Sequence, residues 1–169
     1  TLTEIDTPAN DLRHRGFAAG CARFERSEGM WWGDGCAFFA ATEGGQAQRG
    51  QIWRYTPSAD EGAAAEEHNP GTVELYLEPN DASAVENADN ITVAPWGDLF
   101  ICEDEAVDGD NVNRLLGVTP AGKFYPFGRN SMSPSELAGV CFSPDGSTMF
   151  VNIQGNGLTL AVTGPWKTR

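Results

Sequence analysis

The stretch DNITVAPWGDLFICEDE, residues 89–105, decides the fold. The turn Pro95–Asp98 separates two short apolar runs that have the composition of buried β-strands. Glu103, Asp104 and Glu105 follow the second run, with no basic residue next to them in the sequence. A strand that is expected to be buried therefore ends in three acids, and the fold has to place their charges in contact with solvent, with basic groups or with cations.

The same plan recurs in three segments. SEGMWWGDGCAFFAATE (27–43), DNITVAPWGDLFICEDE (89–105) and LAGVCFSPDGSTMFVNIQ (137–154) each give a strand, a turn with Gly and Asp, a second strand and then polar residues. Further strand-like runs follow the first two segments, so those units have about four strands each. Four-stranded units that recur along a chain are typical of β-propeller blades.

The sequence thus predicts an all-β fold, a partial β-propeller of about two to three four-stranded antiparallel blades. The blade-like units are placed at about 25–78, 87–127 and 136–163, and residues 1–24 complete a neighbouring blade or lead into the first one. A β-sandwich with regular hairpins is the alternative, but it does not explain polar residues at equivalent places in each repeat. We expect the remaining blades to come from a missing N-terminal part or from another copy of the chain.

Composition excludes some classes of partner. The 169 residues are 40% hydrophobic, and their formal net charge of -13 gives a pI of about 4.4. Such a surface repels nucleic acid and anionic membranes, and no apolar stretch approaches a membrane-spanning length. The acids either serve solubility or hold cations, and the two interpretations are compatible.

Cysteine and histidine give no site pattern. The four cysteines, Cys21, Cys36, Cys102 and Cys141, lack zinc-type spacing, and no disulfide is expected. Three of them, Cys36, Cys102 and Cys141, lie in apolar strand-like runs, where buried free thiols are predicted. His14 and His68, the two histidines, have no partner pattern for a catalytic triad or a zinc site.

A propeller would gather acids from distant repeats at one mouth of its central channel, where a hard cation offsets their repulsion. Glu28 begins an inner strand and can face that channel, unless it is a solvated residue at the strand end. Arg26 points to the same side, and its guanidinium suits a phosphate, although a salt bridge to Glu25 or Glu28 is the alternative.

The second unit supplies further candidates. Glu103 and Asp104 are predicted jointly as calcium ligands or residues that support them, with charged loop residues as the alternative. Because they are adjacent in a strand, at most one reaches a given cation unless the chain turns. Asp89 and Asn90 take the place that Ser27 and Glu28 have in the first unit, and they are also predicted metal ligands. Asp89 could equally cap the strand through backbone bonds.

Other polar residues are assigned to simpler roles. Glu105, Asp108 and Asp110 belong to a solvated loop, and DGDNVN (108–113) lacks the final Glu of an EF-hand calcium loop. Asn152 and Gln154 end a strand of the third unit, where simple turn bonding is favoured over a lining role.

Three segments together resemble the PhoX-type alkaline phosphatases. RSEGMWWGDGCAFFAATEGGQAQRGQIWRY, DNITVAPWGDLFICED and AGVCFSPDGSTMFVNIQGNGLTLAVTGPW are similar to that family in matching order, over nearly all of residues 21–166. The resemblance implies the C-terminal part of a six-bladed propeller that is exported by the twin-arginine route. It implies a periplasmic or secreted hydrolase that releases phosphate from small phosphate esters with iron and calcium in its channel.

The resemblance also implies residue roles. Glu28 would be the metal-bridging carboxylate, and Arg26 would lie near the substrate. The family's iron-binding cysteine belongs to the upstream portion, so none of the four cysteines here is given that role. Two other functions stay open from the residues alone. One is a calcium-dependent hydrolase of the gluconolactonase or organophosphatase type, and the other is a noncatalytic propeller module that binds a protein.

Overall fold

The structure, a computed structural model, describes residues 11–81, 83–104 and 113–166. One short α-helix, one 3-10 helix and eleven strands follow each other along these residues. They are α1 (Leu12–Ala18), β1 (Ser27–Gly33), β2 (Cys36–Ala41), β3 (Gln51–Thr56), the 3-10 helix (Ala64–Glu67), β4 (Thr72–Leu77), β5 (Ala88–Val93), β6 (Leu99–Glu103), β7 (Arg114–Val118), β8 (Phe124–Arg129), β9 (Leu137–Phe142), β10 (Thr148–Ile153) and β11 (Leu158–Thr163).

The strands form three antiparallel sheets in sequence order. Sheet 1 is β1-β2-β3-β4, sheet 2 is β5-β6-β7-β8, and sheet 3 is β9-β10-β11. The innermost strands β1, β5 and β9 follow one another through contacts of β1 with β5 and of β5 with β9. This arrangement confirms the predicted all-β fold with propeller-like sheets. The third unit has three strands, one more than the hairpin predicted for residues 137–154, because LTLAVT (158–163) pairs with β10.

Two apolar layers hold the sheets together. Phe38 and Ile52 of sheet 1 pack against one face of sheet 2, and Met149 and Val151 of sheet 3 pack against its other face. Every residue of β6 is buried, because this strand lies in the middle sheet between the two layers. Burial on both faces explains why the sequence LFIC is continuously apolar instead of alternating.

Local geometry supports the predicted hairpins. Asp34 and Gly35 have φ angles of 55° and 75°, and they join Gly33 to its partner Cys36 in a two-residue loop. Both central residues of such a tight turn need positive φ, which favours Asp-Gly.

Residues 11–24 form no strand, so within the described part of 1–24 the structure agrees with the predicted lead-in segment and shows no strand of a neighbouring blade. Leu12–Ala18 is helical, and Arg15 Nε donates to Asp11 Oδ1 at 3.2 Å across one turn. Gly20, with φ of 90°, ends the helix in the left-handed conformation that favours glycine. This helix is short, and no helix of the described residues has the length and apolar character to cross a membrane.

Candidate metal centre

The beginnings of strands β5 and β9 and the end of β6 bring three carboxylates together. Asp89, Asp104 and Glu136 each place an oxygen within 4.8 Å of the oxygens of the others, and all three are half-buried. Glu28, at the start of β1, contacts the Asp89 carboxyl. Residues far apart in sequence and from three sheets thus form one acidic cluster, which we define as Glu28, Asp89, Asp104 and Glu136.

Irregular strand pairing directs two of these acids. The register of β1 against β2 shifts between Ser27 and Met30, and the register of β5 against β6 shifts between Ala88 and Ile91. Extra residues in a strand re-aim side chains. Ser27 and Ala88 are equivalent paired residues, so Asp89 corresponds to Glu28 and not to Ser27. The predicted alignment of the first two units was therefore off by one residue.

A shared backbone hydrogen bond positions Glu136. In each sheet, the residue that follows the second strand donates its N–H to a carbonyl immediately before the first strand. The three pairs are Thr42 to Arg26 at 2.9 Å, Asp104 to Asn87 at 3.1 Å and Gln154 to Glu136 at 3.1 Å. Glu136 therefore occupies in sheet 3 the position that Arg26 has in sheet 1.

Glu136 was absent from the predicted site. The third segment was taken from Leu137, which is equivalent to Ser27 in the first, so Glu136 lies directly before it. A signal was nevertheless there, because Glu136 directly precedes the apolar run of the third segment, just as the predicted site residue Arg26 directly precedes the first segment.

Glycine permits the close approach of β1 and β5. A Cβ on Gly29 would lie 2.5 Å from the carbonyl oxygen of Asp89 and 2.8 Å from the nitrogen of Ile91. Such distances to backbone atoms exclude any side chain at this position unless the strands separate. Gly29 thus sets the spacing between Glu28 and Asp89.

Glu103 and Asp104 have different environments. Glu103 is 2% exposed, and both of its carboxylate oxygens accept hydrogen bonds from Arg114, at 2.6 and 2.7 Å. The backbone N–H of Glu86 donates to the same carboxylate at 2.8 Å. Only Asp104 reaches the acidic cluster, so the structure separates the pair that was predicted jointly. Glu103 is instead a buried ion-pair partner.

Arg26 joins the cluster. It has a positive φ of 50°, its Nη2 donates to Asp104 Oδ2 at 2.7 Å, and its Nη1 donates to Glu43 at 3.3 Å. Arg26 does form salt bridges, as the alternative predicted, but within the described residues its partners are Asp104 and Glu43 instead of Glu25 or Glu28, and Glu25 pairs with Arg23 at 2.8 Å. Arg26 therefore lies beside the acids, where a bound anion would meet it.

Asn90 contributes to packing between sheets. Its Oδ1 accepts a hydrogen bond at 2.9 Å from the backbone N–H of Val140 in β9. Asn152 donates to the carbonyl of Ala138 at 3.0 Å and accepts from Thr159 at 2.7 Å. These amides hold neighbouring strands together, so Asn152 bonds between strands, whereas bonding within a turn had been predicted for it. The predicted loop acids Glu105, Asp108 and Asp110 lie outside the described residues.

Burial and neighbouring carboxyls raise the pKa values of Asp89 and Glu136. Burial, then the negative charges of Glu28 and Asp104, raises the pKa of Asp89 to about 6. A side-chain hydrogen bond with Asp104, together with burial, raises the pKa of Glu136 to about 8, and the positive charge of Arg26 opposes this shift. One guanidinium does not offset four carboxyls, and a cation bound between them would remove the repulsion.

The donor set fits a hard cation. The acidic cluster offers carboxylate oxygens, which are the ligands that hard cations such as Ca²⁺ take. All four thiols are free, and burial raises the pKa of Cys102 to about 12, so this thiol stays protonated. Among the described residues no thiolate or imidazole joins the cluster, so the cluster offers iron no soft ligand.

Comparison with known proteins identifies the family of this chain. No curated protein and no solved structure matches the sequence. The family described as "Alkaline phosphatase PhoX" matches residues 2–157, which is most of the chain. The matched region includes Arg26 and every carboxylate of the acidic cluster. The chain therefore belongs to the alkaline phosphatase PhoX family.

Proposed function

We propose that this chain forms part of a metal-dependent phosphomonoesterase and supplies carboxylate ligands for calcium and an arginine for the phosphate. One observation carries the proposal: Asp89, Asp104 and Glu136 converge within 4.8 Å beside Arg26. Family membership supports the reaction class, and the raised pKa values support a site that gains from a bound cation.

Charge explains why cation and arginine belong together. A phosphate monoester carries two negative charges, and a protein with a formal net charge of -13 repels it. When bound, metal ions neutralise phosphate oxygens and stabilise negative charge in the transition state. Glu28, Asp89, Asp104 and Glu136 would hold a cation at the strand ends, in a geometry fixed by the sheets.

Arg26 would bind and orient the ester. Its planar guanidinium can donate two parallel hydrogen bonds to phosphate oxygens. Asp104 and Glu43 position this guanidinium in the free protein, with Nη–O distances of 2.7 and 3.3 Å. An ester bound at the cluster would take over donors from these carboxylates, while the cation compensates Asp104.

The rest of the functional assignment follows the family and is part of the proposal. We infer that iron is a second metal, that other blades complete its coordination, and that the protein acts in the periplasm or outside the cell. Small phosphate esters are the proposed substrates, and neither nucleic acid nor a membrane is a proposed partner.

Calcium binding by the chain tests the first part of the proposal. Isothermal titration with CaCl₂ is expected to show a site whose affinity falls about tenfold or more in Glu136→Gln, because one ligand charge is removed. Glu67→Gln is the matched control, since Glu67 is exposed on the 3-10 helix. Equal calcium affinity in both variants would contradict the site.

Hydrolysis tests the second part. With calcium and iron supplied, p-nitrophenyl phosphate turnover is expected, together with a loss of turnover in Glu28→Gln and Arg26→Gln. Gluconolactone and paraoxon, assayed on the same sample, test the alternative of a lactonase or organophosphate hydrolase. Turnover of either compound without turnover of the phosphomonoester would refute the proposed reaction.

A further inference from the structure

A cleft lies next to the acidic cluster. Helix α1 and the segment that leads into β1 enclose about 710 Å³, and Arg13, Phe17, Arg23, Phe24 and Arg26 are among its lining residues. A volume of this order accommodates a small metabolite. Phe24 forms a fixed wall because its ring packs edge-on against Phe39 and Trp53, at centroid distances of 4.9 and 5.2 Å.

The charge of this cleft contrasts with that of the whole protein. Three guanidinium groups, those of Arg13, Arg23 and Arg26, line it; among its described lining residues Glu25 supplies the one carboxylate, which pairs with Arg23 at 2.8 Å. The chain as a whole carries 24 acidic residues against 11 Lys and Arg. Within the described residues Arg13 has no ion-pair partner, so its charge is available to an anionic ligand.

Arg26 connects the cleft to the acidic cluster. Its side chain lines the cleft, and its Nη2 lies 2.7 Å from Asp104 Oδ2 of the cluster. A phosphate that meets Arg26 and a cation at the cluster would therefore place its ester substituent toward the cleft. The leaving group of the ester would then meet aromatic walls and Arg13 and Arg23.

We propose that this cleft binds a second phosphate group on the leaving group of the substrate, so that small bisphosphorylated metabolites are the favoured esters. The inference rests on the proposed phosphomonoesterase function. Hydrolysis forms a bond between phosphorus and the oxygen of water and breaks the bond between phosphorus and the ester oxygen, which takes up a proton from the water. The second phosphate is bound and takes no part in these bond changes.

Substrate comparison tests the proposal. The value of kcat/KM is measured for fructose 1,6-bisphosphate and for fructose 6-phosphate on the metal-loaded protein, and the ratio of the two is compared between variants. Arg13→Gln is expected to lower this ratio about tenfold, because it removes a charge-assisted hydrogen bond to the second phosphate. Arg129→Gln is the matched control, because Arg129 lies on β8, away from this cleft, and the ratio is expected to be unchanged there.

Binding gives a readout that does not depend on turnover. Isothermal titration of the metal-free chain is expected to show tighter binding of fructose 1,6-bisphosphate than of fructose 6-phosphate, with a smaller difference in Arg13→Gln. If neither ester is hydrolysed but this difference depends on Arg13, the cleft is supported and the phosphomonoesterase function fails. If both esters are hydrolysed and Arg13→Gln changes neither the rate ratio nor the binding difference, the cleft proposal is overturned.

Discussion

Replacing Gly29 with alanine should destabilise the protein and weaken its calcium site together. The added Cβ would lie 2.5 Å from the Asp89 carbonyl oxygen and 2.9 Å from the Asn90 Cα, both of which are backbone atoms. Because backbone cannot rotate away as a side chain can, β1 and β5 must separate. Overpacking of this kind costs about 1–3 kcal/mol. At this chain length, that corresponds to a fall in Tm of roughly 3–10 °C.

The matched control is Gly128→Ala, since no atom lies within 4 Å of a Cβ at Gly128 and its φ is not positive. Thermal unfolding of both variants, with calcium and with chelator, measures the cost. The calcium-induced rise in Tm should be smaller in Gly29→Ala than in the control, because Glu28 moves away from Asp89. A Gly29→Ala protein as stable as the control, with the same response to calcium, would refute the close approach of β1 and β5.

Three further predictions concern charge and packing. Arg114→Met should lower the free energy of unfolding, measured in urea, by about 3–5 kcal/mol, because it leaves the buried carboxylate of Glu103 without its cation. Arg54→Met, which breaks the exposed pair with Glu74, should lower it by at most about 1 kcal/mol. Equal losses in the two variants would contradict this account. The pKa of Glu136 is raised from 4.5 to about 8, so the protonated carboxyl stabilises the folded state. This contribution to stability is complete below pH 4.5 and is lost as the pH rises through 8. In the presence of chelator, the Tm should therefore fall as the pH rises over this range, and added calcium should make the fall smaller. A dependence of Tm on pH that is the same with and without calcium would argue against the site. Asn90→Ala should lower the free energy of unfolding by about 1–3 kcal/mol, because it leaves the buried N–H of Val140 without its acceptor. Asn90→Asp should retain much of the stability, because it keeps an acceptor oxygen at this position.

Repetition in the sequence was enough to predict the all-β fold, because strand and turn signals are local. The Asp34-Gly35 turn and the continuously apolar run of β6 each report their own backbone conformation or burial. The third strand of the last sheet, Leu158–Thr163, is less evident, since a short polar-apolar run gains its strand conformation only by pairing with β10. The helix Leu12–Ala18 is too short for a clear amphipathic period.

The candidate site was predicted less completely. Glu28, Asp89 and Asp104 were predicted from their places at strand ends and Arg26 from its spacing to Glu28; in the structure Glu28 contacts Asp89, and Arg26 contacts Asp104. The adjacent residue Glu103 belongs to a different environment, the buried pair with Arg114. Local sequence cannot show which of two adjacent acids at a strand end enters the cluster, because the answer depends on which face of the strand the neighbouring sheet covers.

The sequence by itself determined the strands, the turns and the excess of acids, because backbone propensities and side-chain alternation act over a few residues. Only the tertiary structure decided which acids meet. Glu136 joins Asp89 and Asp104 because the three sheets place their inner strands side by side, and the shifted register of β5 re-aims Asp89 toward the same end. Electrostatic repulsion between carboxylates depends on distances through space, and those distances are fixed by packing across residues that are far apart in the chain.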